Sequence, residues 1–386
     1  MIKLSLFKKA ILTGSAFIAT LFVGILVVFS QDNERSALIE YVEEQISSPS
    51  YQIRLNGIEG SLSSDVSLQS ITIADEDGIW LEITKPRLIW TRSALLTGRL
   101  VVDTLEAEHI DFIRRPLPEE TTRSPESSAF QVPELPVAVI LEKLDLPSVE
   151  FGPDVFDLAA AASVNGRFVL DAGSVDLDLL INRADETQGE LKAIVKYDGP
   201  AKSLALDVKL QEPKNGIVAS ALGLPGKPPV SLAIIGDAPL SELDVGLSFD
   251  VDNTRILNGI VSLREGEKGL TANASLSGPL GQLLPPDQRA LFGDKSNLQA
   301  ELVVLKDGGF QLKQSNLESG AVQLTASGLT TADGFLSALS VKGGLTRSDG
   351  ARIVIPSQNG DQTVQSANID IDYDALRQNT WGGKFT

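Results

Sequence analysis

Hydrophobic and polar positions alternate along most of the chain. Leu204, Leu206, Val208 and Leu210 are apolar, and the charged residues Asp207 and Lys209 fall between them. Leu243, Val245, Leu247, Phe249 and Val251 alternate with Asp244, Gly246, Ser248 and Asp250. Val175, Leu177, Leu179 and Ile181 repeat the pattern, as do Ile369, Ile371 and Tyr373. Successive side chains of a strand point to opposite faces, so a period of two predicts strands with one apolar and one wet face. Asp77-Gly78, Asp198-Gly199, Asp307-Gly308, Asp333-Gly334 and Asp349-Gly350 punctuate these runs. Asp-Gly supplies the positive φ that tight hairpins need. The recurrence predicts an antiparallel array growing in one direction, a structural periodicity without a copied sequence unit.

Helical signal is scarce. Asp32 to Ser47 places Leu38, Tyr41, Val42, Gln45 and Ile46 on one face, with Asp32 or Asn33 to cap its start. Short helical turns are predicted at Thr91–Thr97, ended by Gly98, and at Pro286–Phe292, ended by Gly293. Residues 115–136 carry Pro116, Pro118, Pro125, Pro133 and Pro136 among Glu and Ser/Thr residues. Such a segment cannot donate a continuous ladder and reads as a flexible linker. Leu222 to Val230, rich in Gly and Pro, reads as a second irregular crossing.

The first thirty residues form a separate unit. Ala10 to Phe29 contains no charge, and at ~1.5 Å per residue it matches the ~30 Å hydrocarbon core of a bilayer. Lys3, Lys8 and Lys9 precede it, and Asp32, Glu34, Glu40, Glu43 and Glu44 follow. Positive charge stays cytoplasmic, so the rest of the chain faces outward. A cleaved signal peptide, cut after Val28-Phe29-Ser30, is the rival reading. The apolar run exceeds the usual 7–15 residues of a signal core, which favours a retained anchor. The chain divides into a basic tip and anchor (1–30), a helix with the first β layers (31–114), the Pro-rich segment (115–136) and a long β region (137–386).

Composition narrows the chemistry. The net charge of −18 argues against binding nucleic acid, which needs a basic face. Affinity for lipid would have to act through the tails. With no cysteine, disulfides and thiolate metal sites are excluded. His109 is the one histidine. It lacks a second strong metal ligand nearby, and no Gly-x-Ser-x-Gly elbow offers it a nucleophile, so a strand-surface position is expected. Asp75-Glu76-Asp77-Gly78 resembles the opening of a calcium loop, but the apolar Ile79, Trp80 and Leu81 follow, which predicts a hairpin turn. Gly57-Ile58-Glu59-Gly60 has no Lys-Ser/Thr after it and reads as a turn or bulge, not a phosphate loop. Trp80 and Trp90 are expected to cap the first layer of the sheet or to anchor at the membrane interface. No catalytic, cofactor or metal site is predicted.

Residues 53–116 carry a resemblance. The run RLNGIEGSLSSDVSLQSITIADEDGIWLEITKPRLIWTRSALLTGRLVVDTLEAEHIDFIRRP sets Gly57 and Gly60 before strands and then Asp75-Glu-Asp-Gly-Ile-Trp80. Leu88-Ile-Trp90, the turn Leu95-Leu-Thr-Gly-Arg99 and Arg114-Arg-Pro116 follow. This order behind an N-terminal anchor resembles the start of the TamB family of AsmA-like envelope proteins. ALGLPGKPPVSLAIIGDAPLSELDVGLSFDVDN resembles the family's spacer between strand groups. The resemblance extends to about residue 275. Family members are usually several times longer, and the expectation is that this chain is a piece of such a protein.

The resemblance implies an inner-membrane partner of a TamA-like outer-membrane assembly barrel. It implies a role in outer-membrane protein assembly and in phospholipid transport between the membranes, and a curved β gutter with an apolar inside. Alternation alone fits a closed sandwich as well; the resemblance favours the groove. About 25 strands stacked at ~4.8 Å would extend ~120 Å. The expected lining is Leu204, Leu206, Val208, Leu210, Leu243, Val245, Leu247, Phe249 and Val251, in contact with phospholipid acyl chains. The alternatives are a scaffold that pairs its sheet edge with strands of client outer-membrane proteins, or a structural stalk.

Overall fold

The structure is a computed structural model. It describes Glu43, Ser47 and residues 51–386, less 62, 118–134, 186–187, 285–288, 290, 307, 333, 348–349, 351, 356–361 and 376–379. The predicted anchor Ala10 to Phe29, most of the predicted helix 32–47 and most of the Pro-rich segment lie outside the described residues. Among the described residues no helix is long and apolar enough to cross a membrane.

The protein is mainly β and is built on one open 23-stranded sheet. Its first strands are β1 (Gln52–Asn56), β2 (Glu59–Ser61), β3 (Asp65–Ser67), β4 (Ser70–Asp75), β5 (Gly78–Thr84), β6 (Arg87–Thr91), β7 (Arg99–Glu106), β8 (His109–Phe112) and β9 (Ala138–Phe151). They do not stack in file. β2, β3, β6 and β7 form one branch, and β1, β4, β5 and β8 form another. Both branches dock on the long strand β9, β7 along its first half and β8 along its end. These two pairings are parallel, a departure from the all-antiparallel expectation. Parallel neighbours need a long crossover, and residues 113–137 provide the length for it.

Each branch buries its own apolar cluster. Ile53, Ile71, Ile73 and Leu81 pack together in one, with Trp80 against them. Val66, Leu88, Trp90, Leu100 and Val102 form the other. The predicted turn after Thr91 is a 3₁₀ helix, Arg92–Thr97, closed by Gly98 in the left-handed region. The edge strand β1 is not left bare: Ile53 N donates to Ser47 Oγ at 3.0 Å and Leu55 N to Glu43 Oε1 at 2.5 Å. Covering exposed N–H groups in this way blunts an edge against stray pairing.

Beyond β9 the sheet is an antiparallel meander. Its strands are β10 (Ala160–Asp171), β11 (Ser174–Arg183), β12 (Glu190–Asp198), β13 (Ser203–Glu212), β14 (Val230–Pro239), β15 (Leu243–Val251), β16 (Thr254–Gly266), β17 (Gly269–Gly278), β18 (Ser296–Leu305), β19 (Phe310–Ser319), β20 (Val322–Thr330) and β21 (Leu336–Thr346). A separate hairpin, β22 (Ile353–Ile355) and β23 (Gln362–Val364), precedes the closing strands β24 (Ser366–Asp374) and β25 (Thr380–Phe385). Because β1, β4, β5 and β8 sit in a side branch, the run from β2 to β25 spans roughly 90 Å at ~4.8 Å per strand, less than the ~120 Å of a single file.

The two rims of the meander differ. On one rim every connection is short, as at 172–173, 199–202, 240–242, 267–268, 306–309 and 331–335. On the other, every second connection is long: 152–159, 213–229, 279–295 and 347–365. The long connections recur every four strands. They hold the helices α1 (Pro153–Phe156) and α2 (Ile217–Ala221), a 3₁₀ turn (Leu280–Leu283), and the β22–β23 hairpin. The first three helical pieces are absent from the sequence reading. Their apolar runs are too short to show a 3.6-residue period. Of the predicted turn Pro286–Phe292, the described Arg289, Leu291 and Phe292 are helical.

The predicted Asp-Gly turns divide. Gly78 has φ 104°, as expected. At Asp198-Gly199 the left-handed residue is Lys202, φ 49°, and Asp198 Oδ1 accepts from Ala201 N at 2.8 Å. Gly308, Gly334 and Gly350 all have positive φ; Asp307, Asp333 and Asp349 lie outside the described residues.

A buried ion pair ties the β4–β5 turn to the end of β8. The Asp75 side chain is 3% exposed and pairs with Arg114. Its oxygens also accept from Asp77 N at 2.9 Å and Leu117 N at 2.8 Å, and Arg114 donates to Gly78 O at 2.7 Å. The Arg114 guanidinium, helped by these N–H groups, holds the Asp75 carboxyl down to about 2. A carboxyl with a depressed folded-state pKa stabilises fully above its unfolded value, here 3.8, and that stability is lost as pH falls through about 2. Asp75→Asn is therefore expected to cost about 2 kcal/mol at neutral pH. In urea unfolding the gap from the wild type should narrow below pH 3.8 and close near pH 2. A gap that stays constant across that window would contradict this assignment.

Candidate functional site

The register of the ladder decides what the two faces look like. Following Cα partners outward from β3, one row reads Val66, Leu88, Leu105, Leu144, Gly166, Leu179, Ala193, Val208 and Ile234. It continues through Leu247, Gly259, Leu276, Leu298, Leu317, Leu324, Gly343, Ile369 and Phe385. No member is polar. One residue along each strand, the other face reads Asp145, Asn165, Leu180, Lys192, Lys209, Ala233, Ser248, Asn258, Ser277, Asn297 and Glu318. A one-residue slip anywhere would exchange the two faces.

The row survives a break in the sequence pattern. In β19 the apolar phase moves from Phe310 and Leu312 to Leu317. The ladder absorbs the extra residue as a bulge between Leu312 and Ser315 against β20, with a matching shift against β18. A bulge opposes two residues to one, and here it returns Leu317 to the apolar face.

From β10 onward the mid-strand residues of this face are only partly buried: Leu179, Val208, Ile234, Leu247, Leu276, Leu298, Leu317, Leu324 and Ile369. A sheet packed on a second layer would bury them. Buried apolar side chains occur mostly near strand ends, as with Leu210, Val230, Ile256 and Val322. There the long connections fold back. Ala219 and Leu224 of the 213–229 connection are buried against Leu210 and Val230, with Phe249, Val251 and Leu283 packed around them. Glu212, 8% exposed, caps α2 by accepting from Ile217 N at 3.1 Å and Val218 N at 2.8 Å. Ser220 Oγ donates to Phe156 O at 2.9 Å, which joins α2 to α1.

The residues singled out in the sequence all share the apolar face, but in three settings. Leu206, Val208 and Leu247 are partly buried at mid-sheet, and Leu204 is partly buried beside the 199–202 turn. Leu210, Phe249 and Val251 lie under the α2 connection. Leu243 and Val245 are buried toward the tight-turn rim, where Lys202 Nζ meets Glu265 Oε1 at 2.7 Å across the intervening strands β14 and β15. Periodicity gave the face correctly but held no signal for what covers its ends.

The remaining motifs have structural partners. His109 is half-buried on β8, its Nδ1 2.9 Å from Ser148 Oγ. Gly57 and Gly60 have φ of 62° and 83°. Among the described residues no cluster of His, Asp or Glu is arranged to hold a metal ion. Between the two branches lies a charged cleft of about 780 Å³, lined by Glu59, Lys85, Arg87, Glu106, Glu108 and Asp145 among others. Its cations are paired: Arg87 with Asp65 and Glu106, and Lys85 with Glu108.

No protein-family model, curated protein or solved structure matches the chain.

Glycines within the apolar row mark where the backbone leaves no room. A Cβ on Gly259 would collide with the Ser275 carbonyl oxygen and lie 2.8 Å from Leu276 Cα. On the wet face, the nearest atom to a Cβ on Gly246 is Ile235 O at 3.6 Å, an ordinary contact. Gly259→Ala is expected to cost about 1–3 kcal/mol and Gly246→Ala almost nothing, read as shifts in the urea midpoint. Equal costs would show that the row is not held as tightly as its register requires.

Proposed function

We propose that this is a non-enzymatic, single-pass inner-membrane protein whose β sheet forms a periplasmic groove. The groove carries phospholipid tails between membranes and supports outer-membrane protein assembly. The observation that carries the reading is the unbroken apolar row from β3 to β25, only partly buried at mid-sheet. Each CH₂ removed from water gains ~0.8 kcal/mol, so a tail lying along the row is stabilised by several kcal/mol without any polar recognition. Neighbouring strands ~4.8 Å apart offer a tail successive contacts of similar strength, so it can move without crossing a deep trap. The uncharged run Ala10 to Phe29 and the resemblance of residues 53–116 to the TamB family support the location and a TamA-like barrel as partner.

The test uses photo-crosslinking residues in cells. Leu206 and Leu247 are expected to give phospholipid adducts, and the wet-face controls Asp207 and Ser248 none. Protein adducts at the first pair would move the reading to the scaffold, and adducts at neither pair would sink the groove. In parallel, Leu206→Asp should cut lipid transfer by at least about ten-fold, from the ~3 kcal/mol cost of a charge on an apolar surface, with Asp207→Asn close to wild type.

A further inference from the structure

Two charged side chains, Glu212 and Arg183, lie on the apolar face away from solvent, and the Glu212 carboxylate is taken up in capping α2. Arg183 ends β11 in the same phase as Leu179 and Ile181, opposite Ala162 of β10. Its side chain is 6% exposed. Nε donates to Asp185 Oδ1 at 3.2 Å, and Nη2 pairs with Asp185 Oδ2. Nη1 is buried and has no acceptor among the described residues. A guanidinium offers five N–H donors and is always charged, so the two on Nη1 are left unmatched beside the row Ile181, Leu191, Leu210.

The surrounding charge defines what can satisfy them. Asp185 already neutralises Arg183. The aliphatic part of Glu212 lies across Gly189, where a built Cβ would be 3.0 Å from Arg183 Cγ and 3.5 Å from Glu212 Cγ, while its carboxylate is turned to α2. An anionic group brought to Nη1 would meet the Asp185 carboxylate already paired with Arg183 in a poorly hydrated corner, whereas an uncharged acceptor meets no such repulsion. Among amphiphiles with apolar tails, the uncharged acceptor nearest the tails is the ester carbonyl joining tail to glycerol.

We propose that Arg183 is a binding residue for the acyl-ester carbonyl of a glycerolipid seated on the apolar face, with Nη1 donating to the carbonyl oxygen. This rests on the lipid-groove reading and deepens it. It turns an otherwise uniform surface into one with a fixed stopping point, set by the head–tail junction and indifferent to headgroup charge. Because Nη1 is closed off from water, the carbonyl docks only as the tails are seated and the rim gives way locally.

The full chain, carrying a photo-crosslinker at Leu206, is reconstituted in vesicles of dioleoyl phosphatidylcholine or its ether-linked analogue, which has the same tails and headgroup but no carbonyl. Wild type is expected to give about ten-fold more adduct from the ester lipid, the effect of one hydrogen bond to a charged donor. Arg183→Met should remove the preference while leaving the ether-lipid yield unchanged. Arg183→Lys, which keeps the charge opposite Asp185 but lacks the planar extra donors, should also remove it and guards against misfolding in the methionine variant. Equal ester and ether yields in the wild type, or an ester preference that survives both substitutions, would overturn the proposal and leave the groove standing. So would a preference for phosphatidylglycerol over phosphatidylcholine that vanishes in the variants, since that would assign Arg183 to recognition of a net anionic headgroup. Absence of lipid adducts from every vesicle would instead remove the groove reading itself.

Discussion

Register is the constraint on which everything else depends. Hydrogen bonds between strands fix which residues stand side by side, and the two-residue period then fixes the face on which each falls. A single misregistered pair anywhere between β3 and β25 would place charged residues such as Lys192 or Lys209 in line with Val208 and Leu247. The bulge in β19 shows how closely this is held. The sequence slips by one position after Leu312, and the ladder slips with it, so the apolar row passes through intact. Gly166, Gly259 and Gly343 sit within the row where neighbouring backbone crowds the site a side chain would need.

Much of this was legible in the sequence. Alternation alone placed β11, β13, β15 and β24 and divided their residues between faces, because a half-buried strand imprints its period directly. The short turn before Gly98 was readable from a glycine in the left-handed region. The branch at β9 was not. Parallel docking of β7 and β8 depends on contacts between segments far apart in the chain, and no local pattern records them. The helices α1 and α2 were missed because a turn or so of helix carries no periodicity. The roles of Asp75, Glu212 and Arg183 were invisible for a related reason: each is defined by partners brought in by the fold.

The open face and its covered ends belong together. A sheet with one uncovered apolar side exposes surface that a compact domain would bury, and the ends of its strands are where water would enter most easily. The long connections close that route on one rim with small clusters such as Leu210, Ala219, Leu224 and Val230. The opposite rim is drawn in by tight turns and by Lys202 with Glu265. Among the described residues, what remains uncovered is a strip down the middle, bounded on both sides.

The recurrence of long connections every four strands carries a consequence for how such a molecule can change size. A single added strand would reverse the chain's direction and bring the next insertion to the wrong edge. A hairpin preserves direction but puts the insertions out of step. Four strands, about 19 Å of sheet, restore both. The protein is thus measured out in spans, like a bridge deck, and its reach can be lengthened or shortened by whole spans without redesigning any single joint.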